Sequence, residues 1–228
     1  MSVWTGIFAL CTPHGVAQAQ DLTFYGALTT DYVYRGISRS DRHGAVQLGV
    51  DISSKMGLFG GVWASTTDTG TAERHRSREV DFYVGYVKYF GSDWSASASV
   101  NRYTFPGQTG DLNYNYDEFA ALIGYRDRVW MGIDLTKSLF GHDTSARNYE
   151  ILVNWPLAAS LSVTAGFGYF DVSDFAGNGY SYWQLGITRP IAWAAIDLRY
   201  HDTNNVPAQI APDRLADPTV VLTISAAY

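Results

Sequence analysis

The sequence predicts an all-β protein: an antiparallel up-and-down transmembrane β-barrel of about 12 strands. Three observations predict it. Apolar and polar residues alternate with period two along most of the chain, and in a strand that period separates two environments. Twelve segments alternate in this way, and most run ten to twelve residues, close to what a tilted strand needs to cross a bilayer. The connections between them are short and long by turns.

Composition agrees. Of 228 residues, 15% are aromatic, with 16 Tyr, 11 Phe and 7 Trp. Charged residues are 17%, below the roughly 25% of average soluble proteins. Mean hydropathy is −0.10. The net charge of −6 argues against nucleic acid as a partner, since phosphate-backbone binders carry a basic excess. Beyond residue 20 the longest apolar run, residues 191–196, is far short of the roughly 18–20 residues of a membrane-spanning helix.

The first 19 residues form a separate object, a secretory signal peptide. They hold a short apolar core from Val3 to Leu10, then Ala17-Gln18-Ala19, the small-x-small pattern of a cleavage site. Cleavage is expected after Ala19, which leaves residues 20–228 as a single barrel domain. The one cysteine, Cys11, lies in the removed part, so an exported chain without disulfides has to rely on a large core or a closed barrel.

The strands are expected at about 22–34, 44–54, 58–67, 79–90, 94–104, 114–125, 129–139, 147–155, 161–171, 181–189, 192–202 and 219–228. In the second, Val46, Leu48, Val50 and Ile52 share one face and Gln47, Gly49, Asp51 and Ser53 the other. In the fourth, Val80, Phe82, Val84 and Tyr86 oppose Asp81, Tyr83 and Gly85. The seventh sets Val129, Met131, Ile133 and Leu135 against Trp130, Gly132, Asp134 and Thr136. Short turns near 56–57, 91–93, 126–128, 156–160 and 190–191 fit the periplasmic side, and long polar loops the exterior.

A soluble β-sandwich or lipocalin-like barrel has the same sequence period with its apolar face inward. The strand count, the Gly- and Ser-rich polar faces with scattered single charges, and aromatics at strand ends such as Tyr89-Phe90, Tyr114-x-Tyr116 and Tyr182-Trp183 favour the membrane form. The last strand adds to this. Val220, Leu222, Ile224, Ala226 and Tyr228 share a face, and a terminal aromatic after alternate apolar residues resembles the signal that the barrel-assembly machinery of bacterial outer membranes reads.

The stretch Asp31-Tyr32-x-Tyr34-Arg35-Gly36-Ile37-Ser38-x-Ser40 resembles the signature of the proteobacterial TorF-type porin family. Weaker echoes are Gly61-Val62-Trp63-Ala64-Ser65, Tyr103-Thr104-Phe105-Pro106-Gly107 and Tyr200-His201-Asp202-Thr203-Asn204. The resemblance runs from about Leu22 to Tyr228. It implies an outer-membrane barrel of a Gram-negative bacterium and leaves the transport role open. Physically, the first stretch reads as a strand reaching the outer leaflet. Tyr32 and Tyr34 are expected at the interface and Gly36 at a turn. Arg39, Arg42 and His43 would emerge among headgroups, where cations meet the phosphates of lipopolysaccharide.

With the apolar faces outward to lipid, Asp31, Asp51, Asp81, Glu118, Asp134, Glu150, Asp197 and Arg199 point into the lumen, and Arg35 sits at its upper mouth. Arg199 is expected to pair with Asp31 across the small residues of the last strand, because an unpaired charge in a narrow lumen is costly. Twelve strands lie between barrels filled by side chains and those with open channels. Many inward residues are Gly, Ala, Ser and Thr, which favours a passage. Acids outnumber arginines in it, so the expected function is passive diffusion of small neutral or cationic solutes. The alternatives are a plugged structural or adhesive barrel and an outer-membrane lipid-modifying enzyme. For the enzyme, His201 beside Asp202, with Ser38 or Ser181 near, is the candidate set, but no Gly-x-Ser-x-Gly elbow is present. No catalytic residue, cofactor or metal is assigned. Glu73, His75 and Glu79 lack ligand spacing, and Asp202, Asp213 and Asp217 read as an acidic exposed loop.

Overall fold

A computed structural model describes residues 21–68, 77–106, 114–158 and 160–228. The expected signal peptide and its cleavage site lie outside the described residues, as do Glu73 and His75.

Twelve antiparallel strands close into one barrel. They are β1 (Asp21–Thr29), β4 (Ala45–Ser53), β5 (Leu58–Thr67), β6 (Ser77–Phe90), β7 (Trp94–Thr104), β8 (Tyr116–Tyr125), β9 (Val129–Thr136), β10 (Ala146–Ala158), β11 (Leu161–Asp171), β12 (Tyr180–Ile191), β13 (Ala194–Asn204) and β14 (Thr219–Ala227). Two further short strands, β2 (Val33–Tyr34) and β3 (Ile37–Ser38), form a separate hairpin. Each barrel strand pairs with its sequence neighbour, and β1 closes the ring on β14 from Tyr25↔Ala227 to Thr29↔Thr223. The backbones of Phe24 and Tyr228 exchange two 2.8 Å hydrogen bonds, which carries the seam to the last residue. Among the described residues, closure leaves the barrel sheet itself without an unpaired strand edge.

The apolar face is on the outside. Leu48 is 61% exposed while its neighbour Gln47 is 2% exposed, and the same contrast separates Val100 from Asn101 and Phe119 from Glu118. In a water-soluble barrel the burial would run the other way. Both ends of the strand set, and the tight turns between barrel strands such as residues 54–57, 91–93 and 126–128, gather at one rim, called here the turn end. The longer connections gather at the other, the loop end, together with the one-turn helices α1 (Ser173–Ala176) and α2 (Asp213–Ala216).

Inside the wall, aromatic rings take the place that glycines leave. A Cβ on Gly61 would run into the Tyr83 ring, one on Gly85 into Phe59, one on Gly124 into Trp130 and one on Gly168 into Tyr182. Each pair is directly cross-strand. The inward glycines therefore do not leave empty space, contrary to what their small size implies in sequence; they let a neighbouring ring lie flat against the sheet.

The first expected strand, 22–34, is the element that differs most. It ends at Thr29, and the chain then turns into the barrel. Tyr32 and Tyr34, expected among lipids, are 1% and 5% exposed and pack with Phe59, Trp63 and Tyr83 in the lumen. The reason is local: beyond the last wall pairing, period two no longer decides which way a side chain points. A second buried cluster joins Ile37 of the hairpin to Tyr103, Tyr116, Leu139, Phe170 and Tyr180, and fills the loop end. The aromatics near strand ends accordingly divide. Phe90 and Trp183 are exposed on the outer surface, Tyr89 is exposed at the turn-end rim with the parity of the inward Tyr83, and Tyr116 and Tyr182 are buried inside.

Candidate functional site: the lumen and its inserted hairpin

The hairpin β2–β3 pairs Val33 with Ser38 and Tyr34 with Ile37, so its two-residue loop is Arg35-Gly36. Both loop residues have positive φ, 49° and 79°, as a tight primed hairpin turn requires. A side chain at position 36 would run into Thr203 and Tyr182, so the tip is pressed against the β12–β13 wall.

Arg35 is thereby delivered into the lumen. One of its terminal nitrogens, Nη2, lies 2.9 and 3.0 Å from the two carboxylate oxygens of Glu118 and 3.0 Å from Asp134 Oδ2. Tyr103 donates its hydroxyl to Glu118 at 3.1 Å, Asn148 donates to Asp134 at 2.9 Å, and Tyr182 donates to Asn148 at 2.9 Å. Tyr180 donates to the backbone carbonyl of Arg35 at 3.1 Å. The guanidinium lies over the Phe170 ring at 4.4 Å and the Tyr34 ring at 4.8 Å. Burial is the largest single influence on Arg35, which sits in the connection between β1 and β4, and opposes its charge, but Glu118, Tyr34, Asp134 and Tyr103 together outweigh it, so its pKa is held well above its usual value. Asp31 anchors the base of the hairpin, accepting from Ser38 at 2.6 Å and Ser40 at 2.8 Å.

Below the hairpin, toward the turn end, a cavity of about 330 Å³ remains. Asp31, Arg35, Glu118, Asp134, Glu150, Asp197 and Arg199, all expected in the lumen, line it together. Ser, Thr and amide side chains such as Gln47, Asn101 and Gln184 make up much of the rest. The other two expected residues also face inward but sit on the β4–β6 wall outside the cavity lining: Asp51, which accepts from the Tyr83 hydroxyl, and Asp81.

The expected pairing of Arg199 with Asp31 is not formed. Arg199 holds Asp197 through Nε at 3.0 Å and Nη2 at 2.8 Å. The two are on one strand, two residues apart on the same face, whereas Asp31 follows a strand two positions away around the ring, roughly 10 Å in sheet spacing. His201 lines the cavity, while Asp202 bonds Tyr200 at 3.2 Å, so these neighbours sit on opposite faces of β13 and form no dyad. Of the two candidate serines, Ser38 is committed to Asp31, and Ser181 lies between the inward Tyr180 and Tyr182, on the outward face with Trp183. Arg42, expected among headgroups, instead donates to the backbone carbonyls of Asp217 and Pro218, and Arg39 lies 5.5 Å from the Tyr34 ring and 5.6 Å from Phe140.

Glu79, Asn101 and Asn148 are 1% exposed on the inner face and escaped the list of expected lumen residues. The signal was present: Glu79 shares parity with Asp81, Asn101 with Tyr103, and Asn148 with Glu150.

A closed twelve-stranded barrel with an apolar exterior and a charged, hydroxyl- and amide-rich interior is porin-like in class. The chain belongs to a family described as bacterial protein of unknown function (Gcw_chp), whose model matches residues 14–228. No curated protein matches it in sequence. Among solved structures it is similar in fold to the KdgM porin, with a TM-score of 0.53 at 7% identity over 91% of this chain and 98% of that one. The NanC porin gives 0.52 at 9% identity, over 91% and 99%. LpxR from Salmonella typhimurium gives 0.51 at 8% identity, over 90% and 99%. At these identities the likeness concerns the fold alone.

Proposed function

We propose that the protein is an outer-membrane channel of a Gram-negative bacterium that passes small neutral or cationic solutes, with its turn end in the periplasm and its loop end outside. The observation that carries this reading is the inversion of burial, apolar outside and carboxylate-rich inside, around a cavity bordered by five acids and two arginines. The porin neighbours support it at the level of fold. Uncompensated carboxylates in a low-dielectric passage attract cations and repel anions. The Arg35 hairpin narrows that passage from the loop end and acts as its constriction.

A second reading, a barrel plugged by the hairpin, is favoured by one specific observation. The apolar cluster around Ile37, Tyr103 and Tyr180 fills the loop end, and Arg35 is doubly paired beneath it. Reversal potentials in planar bilayers under a salt gradient separate the two. Cation-selective conductance by the native protein supports the channel. Conductance that appears only when Arg35 is replaced supports the plug. Anion selectivity, or no conductance in either protein, overturns the channel reading.

A further inference from the structure

We infer that the lumen holds a recognition site for a small organic cation bearing an ammonium or amidinium group. The inference deepens the channel reading and rests on it for the site's place on a transport route. It starts from charge. Of the five carboxylates lining the cavity, Glu118 and Asp134 share Arg35, and Asp197 takes Arg199. Asp31 and Glu150 have no cationic partner among the described residues. Glu150 is left so by its neighbours: the residues directly opposite it on β9 and β11 are Gly132 and Gly168, so the side chain that reaches it is the neutral Tyr182 hydroxyl lying over Gly168 and not a cation. Asp31 is buried and Glu150 half-buried, and a carboxylate withdrawn from bulk water without a counter-charge is costly unless a cation or proton is supplied.

The unmatched hydrogen-bonding atoms in the same cavity point to what kind of cation. Asp31 Oδ2, Gln47 Oε1 and Asn101 Oδ1 are buried without a partner, on side chains that are 4%, 2% and 1% exposed as residues. Asn154 Oδ1 is a fourth such acceptor, against two unmatched donors, Arg35 Nη1 and Gln47 Nε2. The cavity thus offers a surplus of acceptors spread over its walls, complementary to a solute that carries several N–H donors with its positive charge. A bare metal ion needs ligands that converge, and among the described residues no three His, Cys, Asp or Glu side chains come together in that way. The Tyr182 ring, lying against Gly168 beside Glu150, adds an aromatic face that suits an organic cation better than a neutral polyol. A volume of about 330 Å³ admits a molecule of a few carbon and nitrogen atoms.

Isothermal titration calorimetry on the full-length mature barrel in neutral detergent and phosphate buffer tests this, with putrescine as the probe. Butanediol, of the same length without charge, and potassium chloride are the comparisons. Putrescine is expected to bind, and both comparisons to give no saturable heat. Glu150→Gln is expected to weaken putrescine by about tenfold or more, as loss of a charge-assisted hydrogen bond does. Asp31→Asn serves as the second variant, because it keeps a carbonyl oxygen for Ser38 and Ser40 and so protects the hairpin. Equal binding of butanediol or potassium, no binding of putrescine, or affinities unchanged in both variants would overturn the site. The bilayer measurement separates this from the channel reading. A barrel that binds putrescine and does not conduct keeps the site and loses the channel; one that conducts and ignores putrescine does the reverse.

Discussion

The guanidinium of Arg35 and the carboxylate of Glu118 meet in the lumen at 2.9 and 3.0 Å, although 83 residues separate them in sequence. The contact joins the tip of an inserted hairpin to the barrel wall, and Asp134 at 3.0 Å makes it a shared site. Removing one partner of a buried pair leaves an uncompensated charge, which typically costs about 3–5 kcal/mol. Arg35→Met is therefore expected to lower the unfolding free energy of the refolded barrel by that order, read as a lower denaturant midpoint. Glu118→Gln, which keeps an acceptor, is expected to cost less. The double variant should be less destabilised than the sum of the two, with a coupling of about 0.5–3 kcal/mol. Additive effects from urea titrations in lipid vesicles would mean the pair is not a coupled unit.

The hairpin tip gives a cleaner test of shape. Gly36 and Gly177 both have positive φ, 79° and 83°. An alanine at either position pays roughly 1–2 kcal/mol for the left-handed backbone. Only at 36 does the new methyl also meet packed side chains, those of Thr203 and Tyr182; at 177 nothing lies within 4 Å. Gly36→Ala is thus expected to be clearly more destabilising than Gly177→Ala and to change single-channel behaviour, while Gly177→Ala leaves it as it is. Matching effects in both variants would remove the hairpin from the lumen.

Most of the barrel was legible in the sequence because one constraint dominates it. A strand with lipid on one side and a polar lumen on the other has to alternate, so Val46 through Ser53 and Val129 through Thr136 declare both strand and face. Seven of the nine expected lumen residues line one cavity, and for the five on wall strands, Glu118, Asp134, Glu150, Asp197 and Arg199, parity alone places the side chain. The stretch from residue 30 to 44 obeys no such constraint. Its Tyr32 and Tyr34 carry the same alternation as a wall strand, yet they follow Thr29, where wall pairing stops. Nothing in the period states that the chain folds inward there. The pairing of Arg199 was missed for a related reason. Sequence gives the face of a side chain but not its reach around the ring, and Asp197 on the same strand is nearer than any residue two strands away.

Tyr182 reports on the chain of bonds that supports the Arg35 site. Its hydroxyl donates to Asn148, which donates to Asp134, which accepts from Arg35. Tyr182→Phe deletes one hydroxyl, keeps the ring over Gly168, and leaves the Asn148 oxygen without that donor. A loss of about 1–3 kcal/mol is expected, the usual cost of an orphaned buried acceptor. It should be read as a lower unfolding midpoint with unchanged strand content by circular dichroism. No change in midpoint would mean that a solvent molecule replaces the hydroxyl without penalty.

The strongest demand of the fold falls on its outer surface. Leu48 lies near the middle of β4, 61% exposed, between the inward Gln47 and Gly49. In water such a leucine gains little from its position, and arginine there would be tolerated. In a bilayer the same substitution places a charge near the hydrocarbon midplane, where it costs about 2–4 kcal/mol. Ser97→Arg on β7 is the companion, because Ser97 lines the cavity and a cation there joins a carboxylate-rich interior. Folding free energies in phospholipid vesicles are therefore expected to fall by that amount for Leu48→Arg and to change much less for Ser97→Arg. The reverse order, with the lumen intolerant and the exterior indifferent, would mean that lipid does not surround these leucines, and that the outward apolar face serves some contact other than a membrane.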